Sequence, residues 1–362
     1  MSNRPRRRVA VVGATGVAGQ QFLVSLDRHP WFEVTALAAS ARSAGKTYLE
    51  AIRDEKGHTR WGCEEPLPER FSTMPVVDAE RLDLSALDLV FSAVESGAAR
   101  PLEERLAPHV PVISTSSAFR YEEDVPILVP GVNPAHAALV KRQQRERGWR
   151  GFVAPIPNCT ATGLVSALAP LAQRFGLRSV IMTSLQALSG AGRSPGVVGL
   201  DILDNVIPFI PQEEEKVQLE TAKILGRLAG ERIVPLELPV SATCTRVNVR
   251  DGHTEAVYVS LERRGSLAEV AEAMRVFGRE FTDLALPSSP PELLSVTDDP
   301  FRPQPRIDRR VNDGMTTVVG RLREDPVLPH GIKFVLLSHN TKMGAAKGAV
   351  LVAEHLVFQG LA

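Results

Sequence analysis

The heptapeptide Pro157-Asn158-Cys159-Thr160-Ala161-Thr162-Gly163 places one cysteine between an apolar run, Phe152 to Ile156, and a helical pattern. That pattern carries Leu164, Val165, Leu168, Leu171, Ala172 and Phe175 on one face. Asn158 or Thr160 suits its N-cap, because a short polar side chain satisfies the free amides of the first turn. A thiol at this point faces those amides and the positive end of the helix dipole, and both favour the thiolate. The same amides can stabilise the oxyanion formed when a sulfur attacks a carbonyl. A buried structural cysteine is the alternative, so the reading depends on which other groups join Cys159.

The second half of the chain offers several. Gln186 falls late in a β-rich run and is followed by Ser189-Gly190-Ala191-Gly192, a loop able to approach a ligand closely. Glu213-Glu214-Glu215-Lys216 opens a helix, where acids also suit the dipole. Arg246 interrupts a strand of small and β-branched residues, an unusual place for an unpaired charge. His253 follows Asp251-Gly252, a hairpin signal that predicts one β-ribbon aiming Arg246 and His253 at a common cleft. Histidine titrates near neutrality and serves as general acid or base. Each of these residues also suits a structural role, but together they form a thiol, an acid/base, cations and a carboxylate.

A cofactor is implied upstream. Arg8 to Val12 reads as a buried strand, followed by Gly13-Ala14-Thr15-Gly16-Val17-Ala18-Gly19 and then a helix. Strand, glycine turn and helix is the setting in which bare backbone lets a pyrophosphate reach a helix N-terminus. The spacing is G-x-x-G-x-x-G, and a glycine turn without a ligand is the alternative. After the second strand, Val34 to Ala38, an acid would hold the ribose hydroxyl of NAD. The chain instead has Ser40-Ala41-Arg42-Ser43-Ala44-Gly45-Lys46. Hydroxyls with Arg42 and Lys46 suit a 2′-phosphate, which points to NADP. An ordinary solvated loop would read the same way. Strands Leu87 to Phe91 and Val110 to Ser114 end in polar loops containing Ser92 and Arg120. Such strand ends line ligand crevices, and Arg120 is the cation best placed for an anionic substrate, with a plain surface arginine as the alternative.

These pieces need two frames. The chain of 362 residues suits two domains. The β-α-β rhythm predicts a Rossmann-type doubly wound parallel sheet over residues 1–156. Strands at 180–188, 243–249, 254–261, 316–323 and 332–337, with helices at 212–228 and 267–281, predict an α+β domain with a largely antiparallel sheet over 157–337. Residues 338–362 predict a C-terminal helix returning to the first domain, and the proline-rich 287–305 reads as a surface loop. Forty-two basic residues against 42 acidic ones create no global field for nucleic acid or membrane. Arg4, Arg6, Arg7 and Arg8 precede an apolar stretch, but glycines interrupt it too early for a signal peptide. Three scattered cysteines, Cys63, Cys159 and Cys244, form no metal motif and suit a reducing cytoplasm.

In this order the motifs resemble the aspartate-β-semialdehyde dehydrogenase family, in its archaeal and fungal-like branch, over essentially the whole length. The resemblance rests on Gly13-Ala14-Thr15-Gly16, Ser40 to Lys46, Pro157-Asn158-Cys159-Thr160, Gln186 with Ser189 to Gly192, Glu213 with Lys216, Arg246 with Gly252-His253-Thr254-Glu255, and Asn340 to Gly348. It implies NADPH-dependent reduction of L-4-aspartyl phosphate to aspartate semialdehyde, in the biosynthesis of lysine, threonine and methionine. Cys159 would form a thioester, His253 would be acid/base and Gln186 would orient the thioacyl group. Arg246 would clamp the α-carboxylate and Glu213 the ammonium group, while Arg120, Asn158 and Lys216 would hold phosphate. NADP would contact Gly13, Thr15, Gly16, Val17, Ala18, Ser40, Arg42, Ser43, Ser92, Ser189, Gly190, Gly192 and Asn340. A broad sheet with one uncovered face is expected to dimerise through it, and the resemblance implies a homodimer or homotetramer. Ala18 and Thr160 depart from residues frequent in the family, valine and serine. A malonyl-CoA reductase using the same cysteine and NADPH is the nearest rival reading. A non-catalytic NADP-binding sensor is the rival from another class.

Overall fold

The computed structural model describes residues 6–192 and 196–362, so Arg4 lies outside the described residues. Its first sheet is wholly parallel and comprises β1 (Arg7–Val12), β2 (Phe32–Ala39), β3 (Val76–Asp78), β4 (Leu89–Ser92), β5 (Val112–Ser114) and β6 (Val153–Pro155). The spatial order is β3-β2-β1-β4-β5-β6. Residues Val9 to Val12 are wholly buried, as expected of a strand covered on both faces. The chain reverses its lateral direction between β1 and β4, which opens a crevice at their carboxyl ends.

Seven helices of eight residues or more occur among the described residues: α1 (Val17–Leu26), α2 (Ser96–Leu106), α3 (Leu139–Arg147), α4 (Cys159–Phe175), α5 (Glu213–Ile224), α6 (Leu267–Val276) and α7 (Ala346–Phe358). The remaining strands are β7 (Leu177–Gln186), β8 (Arg227–Ala229), β9 (Arg232–Val234), β10 (Val240–Arg246), β11 (His253–Leu261), β12 (Leu294–Val296), β13 (Thr317–Glu324) and β14 (Gly331–Ser338).

The second large sheet runs β10-β7-β11-β14-β13-β12. Its three central pairings are antiparallel and the two outer ones parallel. The expected hairpin is therefore corrected: β10 and β11 do not pair, because β7 lies between them and bonds to both. Residues 247–252 span the end of β7, and Gly252, at φ +96°, turns the chain into β11. The helix expected over 212–228 ends at Ile224, before the β8–β9 hairpin turned by Gly230. That expected over 267–281 breaks at Gly278, whose φ is +75° and whose added Cβ would lie 2.2 Å from Leu293 Cδ1. The proline-rich stretch contributes β12 to the sheet edge.

One face of this sheet is covered by α4 and α6, with Leu164, Leu168 and Leu171 packed among Val180, Val257 and Phe334. The opposite face leaves Ile181, Leu185 and Tyr258 exposed, and Tyr258 lies opposite Ile181 across β11 and β7. α7 returns to the first domain. Ala346, Ala349, Val350 and Ala353 share a core with Val9 and Phe22, and His29 Nε2 meets Glu354 Oε1 at 2.9 Å in the interior.

Candidate active site

Sheet register brings the reactive groups to one edge. Arg246 ends β10 opposite Gln186, the last residue of β7. His253 begins β11 opposite Ser338, the last residue of β14. Antiparallel pairing thus puts the start of β11 beside the ends of its neighbours, so Arg246 and His253 converge even though no shared hairpin carries them. Against this edge lies the N-terminus of α4, with Cys159 as its first residue. Asn158 caps the helix: its Oδ1 accepts from the amides of Thr160 and Ala161 at 2.9 and 3.2 Å. Close approach of helix to sheet requires Gly163, where an added Cβ would stand 2.9 Å from Ser338 Cβ and 3.0 Å from Glu255 Oε1.

Cys159 Sγ lies 3.1 Å from His253 Nε2. The amide of Ala187 donates to His253 Nδ1 at 3.0 Å, which leaves the proton of the neutral ring on Nε2, facing the sulfur. Burial first, then the nearby Arg246 charge and His339, push His253 down to about 3, so the ring is neutral at physiological pH. Burial, then the Glu213 carboxylate, push the Cys159 thiol up to about 12. Arg246, Arg120 and the Thr160 amide act in the opposite direction. The helix-terminus amide and the two arginines favour the thiolate, as expected, and burial opposes them. The arrangement is a thiol held against an imidazole that can donate a proton, with two arginines ready to favour charge on sulfur.

A cleft of about 1150 Å³ opens over this pair. Arg120, Asn158, Cys159, Glu213 and Lys216 line its substrate end. Glu213 is a local hub, since both of its oxygens accept from Asn158 Nδ2 at 3.0 and 2.8 Å. It also accepts from Gln186 Nε2 at 3.3 Å and pairs with Lys216 at 3.5 Å. Asn158 therefore uses its side-chain amide on the cap and on Glu213 while lining the cleft. Gln186, Arg246 and His253 lie one layer behind the cleft wall. Gly190 covers the latter two: its added Cβ would meet Arg246 Nη1 at 3.0 Å and His253 Cε1 at 3.1 Å. The loop is held there by Asn340, which donates to Ser189 Oγ and accepts from the Gly252 amide, both at 2.8 Å.

The other end of the cleft fits a dinucleotide. Gly16 is the N-cap of α1 and offers no side-chain cap, so the amides of the first turn stay open toward the cleft. Thr15, Gly16, Val17, Ala18, Arg42, Ser43 and Lys46 line this end, and Ser189, Gly190, Gly192 and Asn340 line the end near the thiol. Three expected contacts fall outside the lining. Gly13, at φ +77°, packs under the turn, where an added Cβ would lie 2.4 Å from Ala93 O. Ser92 is wholly buried and donates to Glu103 at 2.7 Å, because Glu103 ties the ends of β4 and β5 together. Ser40 precedes the loop and is exposed, while Arg42, Ser43 and Lys46 line the cleft.

Sequence reading missed Glu220, Lys223 and Tyr48, and named Glu255 only within a motif. Tyr48 is buried and donates to Ala14 O at 2.9 Å, bracing the glycine turn. Glu255, two residues beyond His253, is wholly buried with neither oxygen partnered among the described residues, and burial raises it well above the carboxylate range. Glu220 had a usable signal: seven residues after Glu213, it shares that residue's helix face.

The chain matches two family models, one described as the NAD binding domain of semialdehyde dehydrogenase (residues 8–140) and one as its dimerisation domain (residues 168–343). It is 43% identical to the aspartate-semialdehyde dehydrogenase of Methanothermobacter thermautotrophicus, across 96% of this chain and 97% of that protein. It is 44% identical to that of Archaeoglobus fulgidus, across 97% and 98%. Among solved structures, the aspartate semialdehyde dehydrogenase with NADP from Candida albicans superposes with a TM-score of 0.88 at 38% identity. That match covers 98% of this chain and all of the other.

Proposed function

The chain belongs to the aspartate-semialdehyde dehydrogenase family, and from that premise we propose that its cleft reduces L-4-aspartyl phosphate to L-aspartate 4-semialdehyde through a thioester on Cys159, with NADP as the cofactor. The observation that carries the residue-level reading is the 3.1 Å contact of His253 with Cys159, which lines a cleft together with Arg120, Glu213 and Lys216.

Cys159 Sγ attacks the acyl carbon, the C–S bond forming as the bond to phosphate oxygen breaks and the thiol proton leaving with the phosphate, so one difficult reduction becomes two easier steps. When bound, NADPH supplies the hydride that reduces the thioester. His253 Nε2–H is the donor to the oxygen and sulfur that gain charge as the tetrahedral species forms and breaks. Arg246 binds the α-carboxylate, Glu213 the ammonium group, and Arg120 with Lys216 the phosphate. Gln186 orients the thioacyl group, and Gly190 closes over the reacting centre. Arg42, Ser43 and Lys46 hold the adenosine 2′-phosphate, with the open amides of α1 on the pyrophosphate. We assign residues 1–156 to the cofactor domain, 157–337 to the catalytic and dimerisation domain and 338–362 to the returning helix.

A comparison of substrates tests this reading. Phosphate-dependent oxidation of aspartate semialdehyde by NADP is expected to exceed oxidation of malonate semialdehyde with CoA by about 100-fold in kcat/KM, because Glu213 and Arg246 need an amino acid partner. Equal or faster turnover of the CoA reaction would overturn it.

The exposed apolar face carrying Ile181, Leu185 and Tyr258 supports a homodimer formed sheet against sheet. Sedimentation should give a species of at least twice the 39.3 kDa chain mass, and a monomer at micromolar concentration would contradict it. No helix among the described residues is long and apolar enough to cross a membrane. The three cysteines are unpaired, which supports placement in a reducing cytoplasm.

A further inference from the structure

Helix α5 carries four ionisable side chains at helical spacing on one face: Glu213, Lys216, Glu220 and Lys223. The first two line the cleft. We propose that Glu220, supported by Lys223, is a positioning residue that locks the phosphate-binding Arg120 and the start of the nucleophile helix into one unit. The inference rests on the reading of Arg120 as a phosphate ligand.

Glu220 is wholly buried. Its Oε1 accepts from Arg120 Nη1 at 2.9 Å and from Tyr121 Oη at 3.3 Å. Its Oε2 accepts from the Asn158 amide at 2.6 Å, one residue before Cys159. One carboxylate therefore holds both the cation that meets the leaving group and the backbone that aims the nucleophile. Lys223 grips the same segment from the next turn, donating to the carbonyls of Arg120 and Glu122, each at 2.7 Å. Arg120 also donates through Nε to Ile156 O and through Nη2 to Thr115 O, at 2.9 and 2.8 Å. Three of its N–H groups are fixed among the described residues, and two remain for a ligand. A buried arginine–glutamate pair adds little stability over apolar residues of the same volume, since desolvation offsets the attraction. Its distinctive contribution here is geometric, since it sets the orientation of the guanidinium relative to Cys159.

The test is a cycle of Glu220→Gln, Arg120→Lys and the double variant in the full-length enzyme. The assay is oxidation of aspartate semialdehyde by NADP with inorganic phosphate varied. Glutamine keeps the shape but presents an N–H toward a donor. The KM for phosphate is expected to rise about tenfold in Glu220→Gln, the effect of losing one charge-assisted hydrogen bond, while the KM for NADP stays within about twofold. The double variant should be no worse than Arg120→Lys by more than about twofold, because the two residues act through one interaction. An unchanged phosphate KM in Glu220→Gln, or losses that multiply in the double variant, would overturn the inference. Should Glu220→Gln fail to fold, Lys223→Met loosens the same segment; a raised phosphate KM supports the inference and an unchanged one overturns it. An Arg120→Lys enzyme with unchanged phosphate KM would overturn the Arg120 assignment, and this inference with it. A weakened Arg120→Lys beside an unchanged Glu220→Gln overturns this inference alone.

Discussion

Replacing Cys159 with serine is expected to lower kcat by about 10⁴-fold or more, the scale on which loss of a nucleophile is felt. Hydroxyl oxygen is a weaker nucleophile than sulfur, and an ester is a poorer intermediate because alkoxide leaves less readily than thiolate. His253 does not rescue the serine, because the Ala187 amide occupies Nδ1 and the neutral ring therefore presents a proton, not a lone pair, at Nε2. The cofactor end of the cleft is built from α1, its glycine turn and the Arg42 loop, so NADP affinity should stay within about twofold of the native value, in the range of a surface change. Steady-state kinetics with parallel NADP titration checks both. Undiminished aldehyde-dependent NADP reduction by Cys159→Ser would defeat the nucleophile assignment and leave the chain a binding protein.

Arg246→Leu is expected to lower kcat/KM by about 10³-fold, the cost of removing a buried charge that pairs with a ligand carboxylate. Most of the loss should appear in KM, because the carboxylate is bound alike in ground and transition states. A smaller loss in kcat follows from the field of the guanidinium, which favours charge on the Cys159 sulfur and disfavours it on His253. Leucine should be tolerated by the fold, since among the described residues Arg246 makes one side-chain hydrogen bond, to Ala187 O, while its backbone is held by Ile207 and β7. A variant with Tm near that of the native protein and KM for aspartate semialdehyde within about threefold of it would show that the carboxylate binds elsewhere.

How far the sequence disclosed this site varies by kind of feature. Strands with continuous apolar runs, such as Val9 to Val12, were legible because burial on both faces leaves a local mark. The nucleophile helix was legible because its cap, its first residue and its apolar face are contiguous. Pairing of strands was not. Asp251-Gly252 marks a chain reversal, and a reversal over one intervening strand uses the same turn residues as a hairpin. Only the register of β7 distinguishes the two. The surroundings of Cys159 were legible only in part for a related reason, because the helix terminus is visible in sequence whereas the packing of Glu213 and His253 around the thiol is not. Ser92 and Gly13 were correctly placed at strand ends, yet a side chain at a strand end faces either the crevice or the core. Buried Glu103 draws Ser92 to the core. Glu220 and Lys223 extend the periodicity of Glu213 and Lys216, and a helical reading of that face would have found them.

The most direct test of the account is the mass of the protein after incubation with L-4-aspartyl phosphate in the absence of NADPH. One aspartyl group per chain should appear on the peptide bearing Cys159, with one phosphate released for each, and should be absent from Cys159→Ser. Phosphate release with no adduct, or an adduct on a different peptide, would contradict a thioester at Cys159.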